Sequence, residues 1–339
     1  MSAISINGVI CSRSNNNVDE TMKILVIRLS SMGDIILTTP VLRCIKQQVE
    51  GAEVHCLVKT PFVSLLDRSP FVDRVHTYGE KMETLARLNR EKFDYVVDLQ
   101  NNHRSRLMCR LLRCKSSVVK KEDFARWLLV VTKHNFIKHP SVVNRYMDAA
   151  RPLGVVNDGG PLNLYYELQE ANEKQRQPYV VIACGAQHGT KRIPPKQLQY
   201  LIGSIQGQIV LLGDKQDRYR IANDGVHLTP NVLNLCGKTS MEQLMQWVDK
   251  ATVVISGDTG IMHMAAAFQK DLVVIWGGTS PLFGFAPYGV EARNCEADLW
   301  CRPCSRLGKR KCPQHTLRCF EDLPWQQIVN YVNARLQTR

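Results

Sequence analysis

The sequence predicts an α/β protein: two Rossmann-like halves, each a doubly wound parallel sheet, facing one another across a cleft. Three observations carry this. Short continuous apolar runs rich in β-branched residues, such as Lys23–Leu29, read as strands buried on both faces. They alternate with segments of helical spacing, the pattern of parallel sheets with crossover helices. The alternation ends at a polar stretch near 168–177 and restarts after Pro178.

The elements follow in order. Residues 1–22 are polar and Asn/Ser-rich and read as a disordered leader, with Met22 as an alternative start. After the first strand, Ser30–Asp34 turns, and Ile35–Val49 has helical spacing, kinked or restarted at Pro40. Strand Glu53–Val58, a short helix at Phe62–Leu66, strand Arg74–Tyr78, helix Lys81–Glu91 and strand Tyr95–Leu99 complete the first series. The halves are expected at 23–167 and 178–339, with the linker at 168–177 between them. The second half holds strands at 179–184, 208–212, 232–235, 252–256 and 272–276. Helices are expected from Pro195, around Asp217–Asn223, at Met241–Lys250 and at Ile261–Phe268, the third opened by a capping box at Thr239/Glu242 or Ser240/Gln243. A Cys-rich basic loop and a C-terminal helix close the chain.

Composition excludes several classes. Of 339 residues, 44% are hydrophobic and 22% charged, which sets aside wholesale disorder. The apolar runs have strand length, so a membrane-spanning helix is not expected, and the start has no apolar signal region. The expectation is a cytoplasmic protein. The charge is informative: 44 Lys+Arg against 31 Asp+Glu give +13. Between His103 and Arg145 stand eleven Lys/Arg against Glu122 and Asp123. Such a field attracts an anionic partner: nucleic acid, a phosphorylated glycolipid or an anionic membrane surface. For any single residue of the cluster, a solvated helix face is an equal reading.

Twelve cysteines are present, and four form the run Cys301-x2-Cys304-x7-Cys312-x6-Cys319. The first pair has zinc-knuckle spacing, but the second is loose, so reduced thiols are favoured over a structural metal.

Three loops, each directly after a strand, offer chemistry. In Ser30-Ser-Met-Gly-Asp34, Gly33 allows close backbone approach and Asp34 is placed to accept a proton, or simply to cap a helix. In Gly185–Arg192, small residues precede Lys191 and Arg192, a setting for phosphate held by backbone N–H groups and a lysine. In Ser256–His263, Gly257 and Gly260 bracket Asp258 and Thr259 at a helix start, with His263 one turn in. There, Thr259 and the local N–H groups suit a diphosphate and Asp258 suits sugar hydroxyls. No GxGxxG follows either first strand, and neither GxxxxGK[ST] nor GxSxG occurs, which argues against nicotinamide enzymes, P-loop ATPases and α/β-hydrolases.

Taken together, Lys23–Pro40, Val97–Ser105, Thr190–Pro194 and Gly257–Ala266 resemble, in order, the signatures of the lipopolysaccharide heptosyltransferases, glycosyltransferase family 9. The segment from Trp300 to Pro313 looks like a loop of some members. Two positions depart from the family's habit: Ile193 stands where Trp is usual, and Asp217 where Glu is commoner. The resemblance implies a GT-B fold and inverting transfer of heptose from an ADP-activated donor to a lipopolysaccharide inner-core acceptor, without a metal ion or other cofactor. Asp34 would be the general base. Lys191 would hold the donor phosphate beside Arg192. Asp258, Thr259, Gly260 and His263 would form the donor motif, with Thr239 and Asp217 as further donor contacts. Ser31, Met32 and Gly33, with Asn102, Arg104 and Arg106 in the basic stretch, would serve the acceptor. A phosphorylated glycolipid, an ADP-sugar and the anionic inner-membrane leaflet, touched from the cytoplasmic side, would be the partners, and nucleic acid would not. Two other readings stand beside it: a nucleotide-sugar epimerase of the same fold, or a non-catalytic binder of anionic glycans.

Overall fold

The computed structural model describes residues 21–168, 175 and 177–338. Most of the expected leader and most of the expected linker lie outside these residues. Two parallel sheets form the frame. The first contains β1 (Met22–Ile27), β2 (Ala52–Lys59), β3 (Arg74–Tyr78), β4 (Tyr95–Asp98) and β5 (Lys115–Val118), in the order β3-β2-β1-β4-β5. The second contains β6 (Tyr179–Ala183), β7 (Gln208–Leu212), β8 (Val232–Asn234), β9 (Val253–Gly257), β10 (Asp271–Trp276) and β11 (Ala292–Glu296), in the order β11-β10-β9-β6-β7-β8. Every strand pair is parallel. The two central strands β1 and β6 carry uninterrupted apolar runs, as strands covered on both faces must.

The expected helix at 35–49 is two helices. α1 (Met32–Ile36) and α2 (Thr39–Gln48) are separated at Leu37–Thr38. Pro40 falls in the first turn of α2, where its missing N–H costs nothing, and the Thr38 hydroxyl donates to the Ile35 carbonyl at 2.6 Å. The expected short helix is a 3₁₀ segment at Thr60–Leu65, and α3 (Lys81–Glu91) lies as expected. The stretch read mainly as a charge field is ordered into α4 (His103–Leu112), β5, α5 (Asp123–Thr132) and α6 (Val142–Ala150).

In the second half follow α7 (Pro195–Ser204), α8 (Lys215–Asn223), α9 (Met241–Asp249), α10 (Gly260–Ala267), α11 (Arg318–Glu321) and α12 (Trp325–Gln337). Of the two capping boxes considered for α9, Ser240 with Gln243 is the one formed. α12, the expected C-terminal helix, packs on α7 and against β6 and β9. One apolar core joins the inner faces of both halves, running from Ile24, Val41 and Ala150 to Val181, Val254 and Met262. Separate cores back the outer face of each sheet. No described helix is long and apolar enough to cross a membrane.

Strand order fixes where the site must be. In the first sheet the winding reverses between β1 and β4, and in the second between β6 and β9. Loops leaving the carboxyl ends of strands at a reversal diverge and open a crevice. The loops after β1, β6 and β9 are the three singled out from the sequence.

Candidate active site

The first loop is held from below by the second motif. Asp98, fully buried at the end of β4, accepts from the N–H groups of Gln100 and Asn101 at 2.9 Å and from the Ser105 hydroxyl at 2.7 Å. Gln100, so placed, accepts from the Leu29 N–H at 2.9 Å, and Arg28 donates to the Leu99 carbonyl at 2.5 Å. The motif at 97–105 therefore fixes the exit of β1. Arg28 then meets the Asp34 carboxylate at 2.7 Å, Ser31 donates to it through hydroxyl (2.6 Å) and N–H (3.1 Å), and the Tyr146 hydroxyl lies at 3.4 Å. Burial opposes ionisation of Asp34, but Arg28 and the two Ser31 bonds prevail and lower its pKa. Burial pushes the Tyr146 hydroxyl well above its ordinary range, so it stays a neutral donor.

The second half meets this loop through glycine. A methyl group on Gly33 would lie 2.6 Å from Cδ2 of His263, and one on Gly260 would lie 2.3 Å from the Met32 side chain. Only hydrogen at both positions lets α1 and α10 approach so closely. His263 is 3% exposed, and burial drops its pKa to about 4 despite the nearby carboxylates of Asp258 and Asp34. Its Nδ1 is buried with no hydrogen-bond partner among the described residues.

Around it stand the donor-side candidates. Lys191 meets Asp258 at 2.7 Å, and Asp258 also accepts from the Thr279 hydroxyl at 3.0 Å. Thr259 precedes the first residue of α10 and shares a 2.9 Å bond with Ser256. Part of the expected N–H cradle at 185–192 is already in use. Thr190 donates to the Lys309 carbonyl, Lys191 to His188 and Arg192 to Gly189, so these N–H groups are already committed. The guanidinium of Arg192 is likewise turned to the Ala186 carbonyl at 2.6 Å. Asp217 is also occupied: it is the third residue of α8, its two oxygens taken by the Asp214 N–H and by Arg220, with a 3% exposure. Thr239 lies half-buried just before the Ser240 cap. The Lys191 side chain and the start of α10 face each other across Asp258 and Thr259.

In the first half the structure redistributes the basic stretch. Asn102 caps α4 by accepting from the Ser105 N–H, Arg106 bonds the Asn101 side chain, and Arg104 is exposed on the same helix. None of the three lines the cleft cavity of about 260 Å³ that opens beside Asp34. Its cations are Arg28, Lys121, Arg126, Arg145 and Arg306, against Asp34 and Asp123. Sequence counting included Lys121, Arg126 and Arg145 in the charge excess but had no signal that they face inward, and Arg28, Arg306 and Tyr146 went unmarked. Arg145 is satisfied by Glu122 at 3.3 Å and the Phe283 carbonyl at 2.9 Å. Arg126 is 8% exposed, lies over the rings of Phe283 and Phe285, and leaves Nε and Nη2 without partners among the described residues. Burial first, then Arg145, lowers its pKa.

The loop after β11 packs on the segment from His188 to Lys191. The Lys309 N–H donates to the Thr190 hydroxyl at 2.8 Å, and Gly308 (φ 96°) lies directly against His188 and Lys191. Arg306 of this loop reaches Asp123 at 3.0 Å. Cys301, Cys304, Cys312 and Cys319 are all free thiols, and among the described residues no three His, Cys, Asp or Glu side chains gather as a metal-ion site.

Comparison with known proteins gives the arrangement its family. The chain is 25% identical over 292 residues to lipopolysaccharide heptosyltransferase 1 of Campylobacter coli, covering 76% of this chain and 84% of that one. It superposes on E. coli ADP-heptose lps heptosyltransferase II with a TM-score of 0.71 at 21% identity, covering 93% of this chain and 99% of the other. For E. coli heptosyltransferase WaaC, solved with ADP, the TM-score is 0.68 at 21% identity, over 93% and 100%. These neighbours have the GT-B fold, and the two facing parallel sheets found here are that fold. The model for glycosyltransferase family 9 (heptosyltransferase) matches residues 82–315, a span that holds Lys191, Asp258 and His263. Two facing sheets, a cleft at both points of reversal and this match over most of the chain lead to one conclusion: the protein belongs to glycosyltransferase family 9.

Proposed function

We propose that the protein transfers heptose from ADP-heptose to the inner core of lipopolysaccharide (a lipid A–Kdo or heptosyl acceptor), with inversion and without a metal ion. The observation that carries this reading is the meeting, around buried His263, of the Asp34 carboxylate from one half and the Lys191–Asp258 pair from the other. ADP is the nucleotide in the solved WaaC heptosyltransferase.

Inverting transfer is one displacement: the acceptor hydroxyl attacks the anomeric carbon, its proton goes to a base, and the sugar–phosphate bond breaks toward ADP. Asp34, kept ionised by Arg28 and Ser31, takes that proton. Arg28 and Tyr146 hold the carboxylate in place, Arg28 lying 5.5 Å above the Tyr146 ring. The leaving diphosphate gains charge, and Lys191 with the N-terminus of α10 stabilises it. In accepting phosphate, Lys191 exchanges its ion pair with Asp258, which frees that carboxylate for sugar hydroxyls. Arg126, buried with two unpartnered N–H groups, seats an anionic group of the acceptor.

The test is to incubate the protein with ADP-heptose and heptose-deficient lipopolysaccharide and to follow ADP release and product mass. Asp34→Asn should fold and bind ADP normally while turnover falls at least roughly 10²-fold, the usual worth of a general base. Turnover close to native in that variant would reduce Asp34 to a helix cap.

A further inference from the structure

α5 presents two faces of opposite character. Inward, Arg126 and Leu129 are buried, and Asp123 and Arg126 line the cavity beside Asp34. Outward, Phe124, Trp127 and Val131 stand at i, i+3 and i+7, one stripe of the helix, and are 72%, 50% and 57% exposed. Phe124 and Trp127 stack with ring centroids 5.9 Å apart, so the stripe is a formed apolar surface. Phe136, in the segment after the helix, is exposed as well.

The loop at 301–311 borders this helix at both ends. Lys133, just past its C-terminus, donates to the Pro303 carbonyl at 3.0 Å, and Arg306 pairs with Asp123 at its start. The loop contributes exposed Leu307 and the exposed cations Lys309, Arg310 and Lys311. Lys120 and Lys138, on either side of α5, are exposed too. Contiguous apolar side chains on a soluble surface mark a docking site. A short helix with aromatic residues outward and cations around it has the character of one that lies in the plane of a bilayer interface.

We propose that the outward face of α5, bordered by the 301–311 loop, docks this protein on a membrane surface rich in anionic phospholipid. Charge complementarity selects the occupant: an apolar stripe ringed by cations suits acyl chains beneath anionic headgroups. Continuity supports it, because the same helix turns its other face to the cavity. A glycolipid whose sugar reaches Asp34 can then leave its acyl chains in the bilayer. That last step rests on the acceptor reading above; the docking itself does not, and is tested without donor or acceptor. The docking surface is α5 rather than the α4 arginines Arg104, Arg106 and Arg110.

The experiment is co-sedimentation of the full chain with phosphatidylglycerol/phosphatidylethanolamine vesicles, against phosphatidylcholine vesicles. Native protein should bind the anionic vesicles at least tenfold more tightly than the neutral ones. Phe124→Ser with Trp127→Ser should lose at least tenfold in that binding, with ADP affinity and melting temperature unchanged. Arg104→Glu, Arg106→Glu and Arg110→Glu together should cost less than the α5 pair. In a Trp300→Phe background, which covers the case of a double variant that fails to fold, brominated anionic vesicles should quench Trp127. Absence of native binding, full binding by the α5 variant, unquenched Trp127, or a concentration-dependent dimer that the α5 variant abolishes would each overturn the proposal. Loss of heptosyl transfer with vesicle binding intact would count against the acceptor reading alone.

Discussion

Gly33→Ala isolates the approach of the two halves from the chemistry of the groups they carry. Gly33 does not occupy the left-handed region, so alanine meets no backbone strain, and the effect is purely steric. The new methyl would lie 2.6 Å from His263 Cδ2, where an ordinary contact begins at 3.4 Å, so α1 and α10 must part by roughly 0.8 Å. The ring cannot swing aside cheaply, because it is buried against the Phe285 ring at 6.4 Å between centroids. Overpacking of this kind costs about 1–3 kcal/mol, which for a chain of this size lowers the melting temperature by about 1–4 °C. Transfer should suffer more, since a displacement approaching 1 Å between reacting groups costs on the order of 10²-fold. The assay is kcat for ADP release beside a thermal melt. Gly79→Ala serves as control, for nothing lies within 4 Å of its added methyl. If Gly33→Ala kept native kcat and native melting temperature, the close apposition of α1 and α10 would not be what aligns the site.

Lys191→Ala should weaken ADP-heptose binding by about 1.5–3 kcal/mol, the scale of a hydrogen bond to a charged group; unchanged affinity by calorimetry would remove Lys191 from the phosphate site. Arg126→Ala should raise the acceptor KM about tenfold or more while the donor KM holds, and the reverse split would place this arginine on the wrong side of the reaction. Stability should fall as pH drops from about 6.5 to about 4: His263 stays neutral in the fold until about pH 4, whereas the unfolded chain takes the proton near 6.5, a difference on the order of 3 kcal/mol. His76, also held at about 4 by burial and by neighbouring His55, acts in the same window, and Asp34 adds its loss only below the ordinary carboxylate range. A melting temperature flat from pH 7 to pH 5 would refute the burial of these imidazoles. Activity should survive EDTA in a coupled assay, and a loss restored by a divalent ion would refute metal-independent transfer.

Periodicity and strand signals reached as far as local residues decide structure. β1, β6 and β10 were legible because strands covered on both faces must be uninterruptedly apolar. The break between α1 and α2 needed a contact the pattern does not encode, since Pro40 suits either a kink or a new start. β5 was invisible for a different reason: Lys115–Val118 is a half-exposed edge strand with no apolar run, and its place is set by pairing with β4. The chemistry-bearing loops were found because each follows a strand at a reversal of winding. The state of their backbone was not, because the Thr190 N–H is taken up by Lys309, more than a hundred residues further on, while those of Lys191 and Arg192 turn back to His188 and Gly189.

Charge was the least legible quantity, and the reason is general. Counting from Arg104 to Arg145 gives a sign and a magnitude but no direction, and the cluster divides by direction. Arg104 and Arg110 point to solvent from α4, while Arg126 and Arg145 point inward and are 8% and 4% exposed. An inward arginine costs free energy unless something answers it. For Arg145, Glu122 answers. For Arg126, flanking rings answer only its faces, and two of its donors remain open. α5 has strong tertiary reasons to be placed as it is, with Leu129 in the core and Asp123 tied to Arg306, yet it keeps an unmatched cation on one side and an unmatched apolar stripe on the other. Each mismatch is what a ligand of the opposite character would resolve, an anion within the cleft and a lipid surface outside it. A single amphiphile carrying both, with an anionic sugar at one end and acyl chains at the other, would satisfy the two faces of this helix at once.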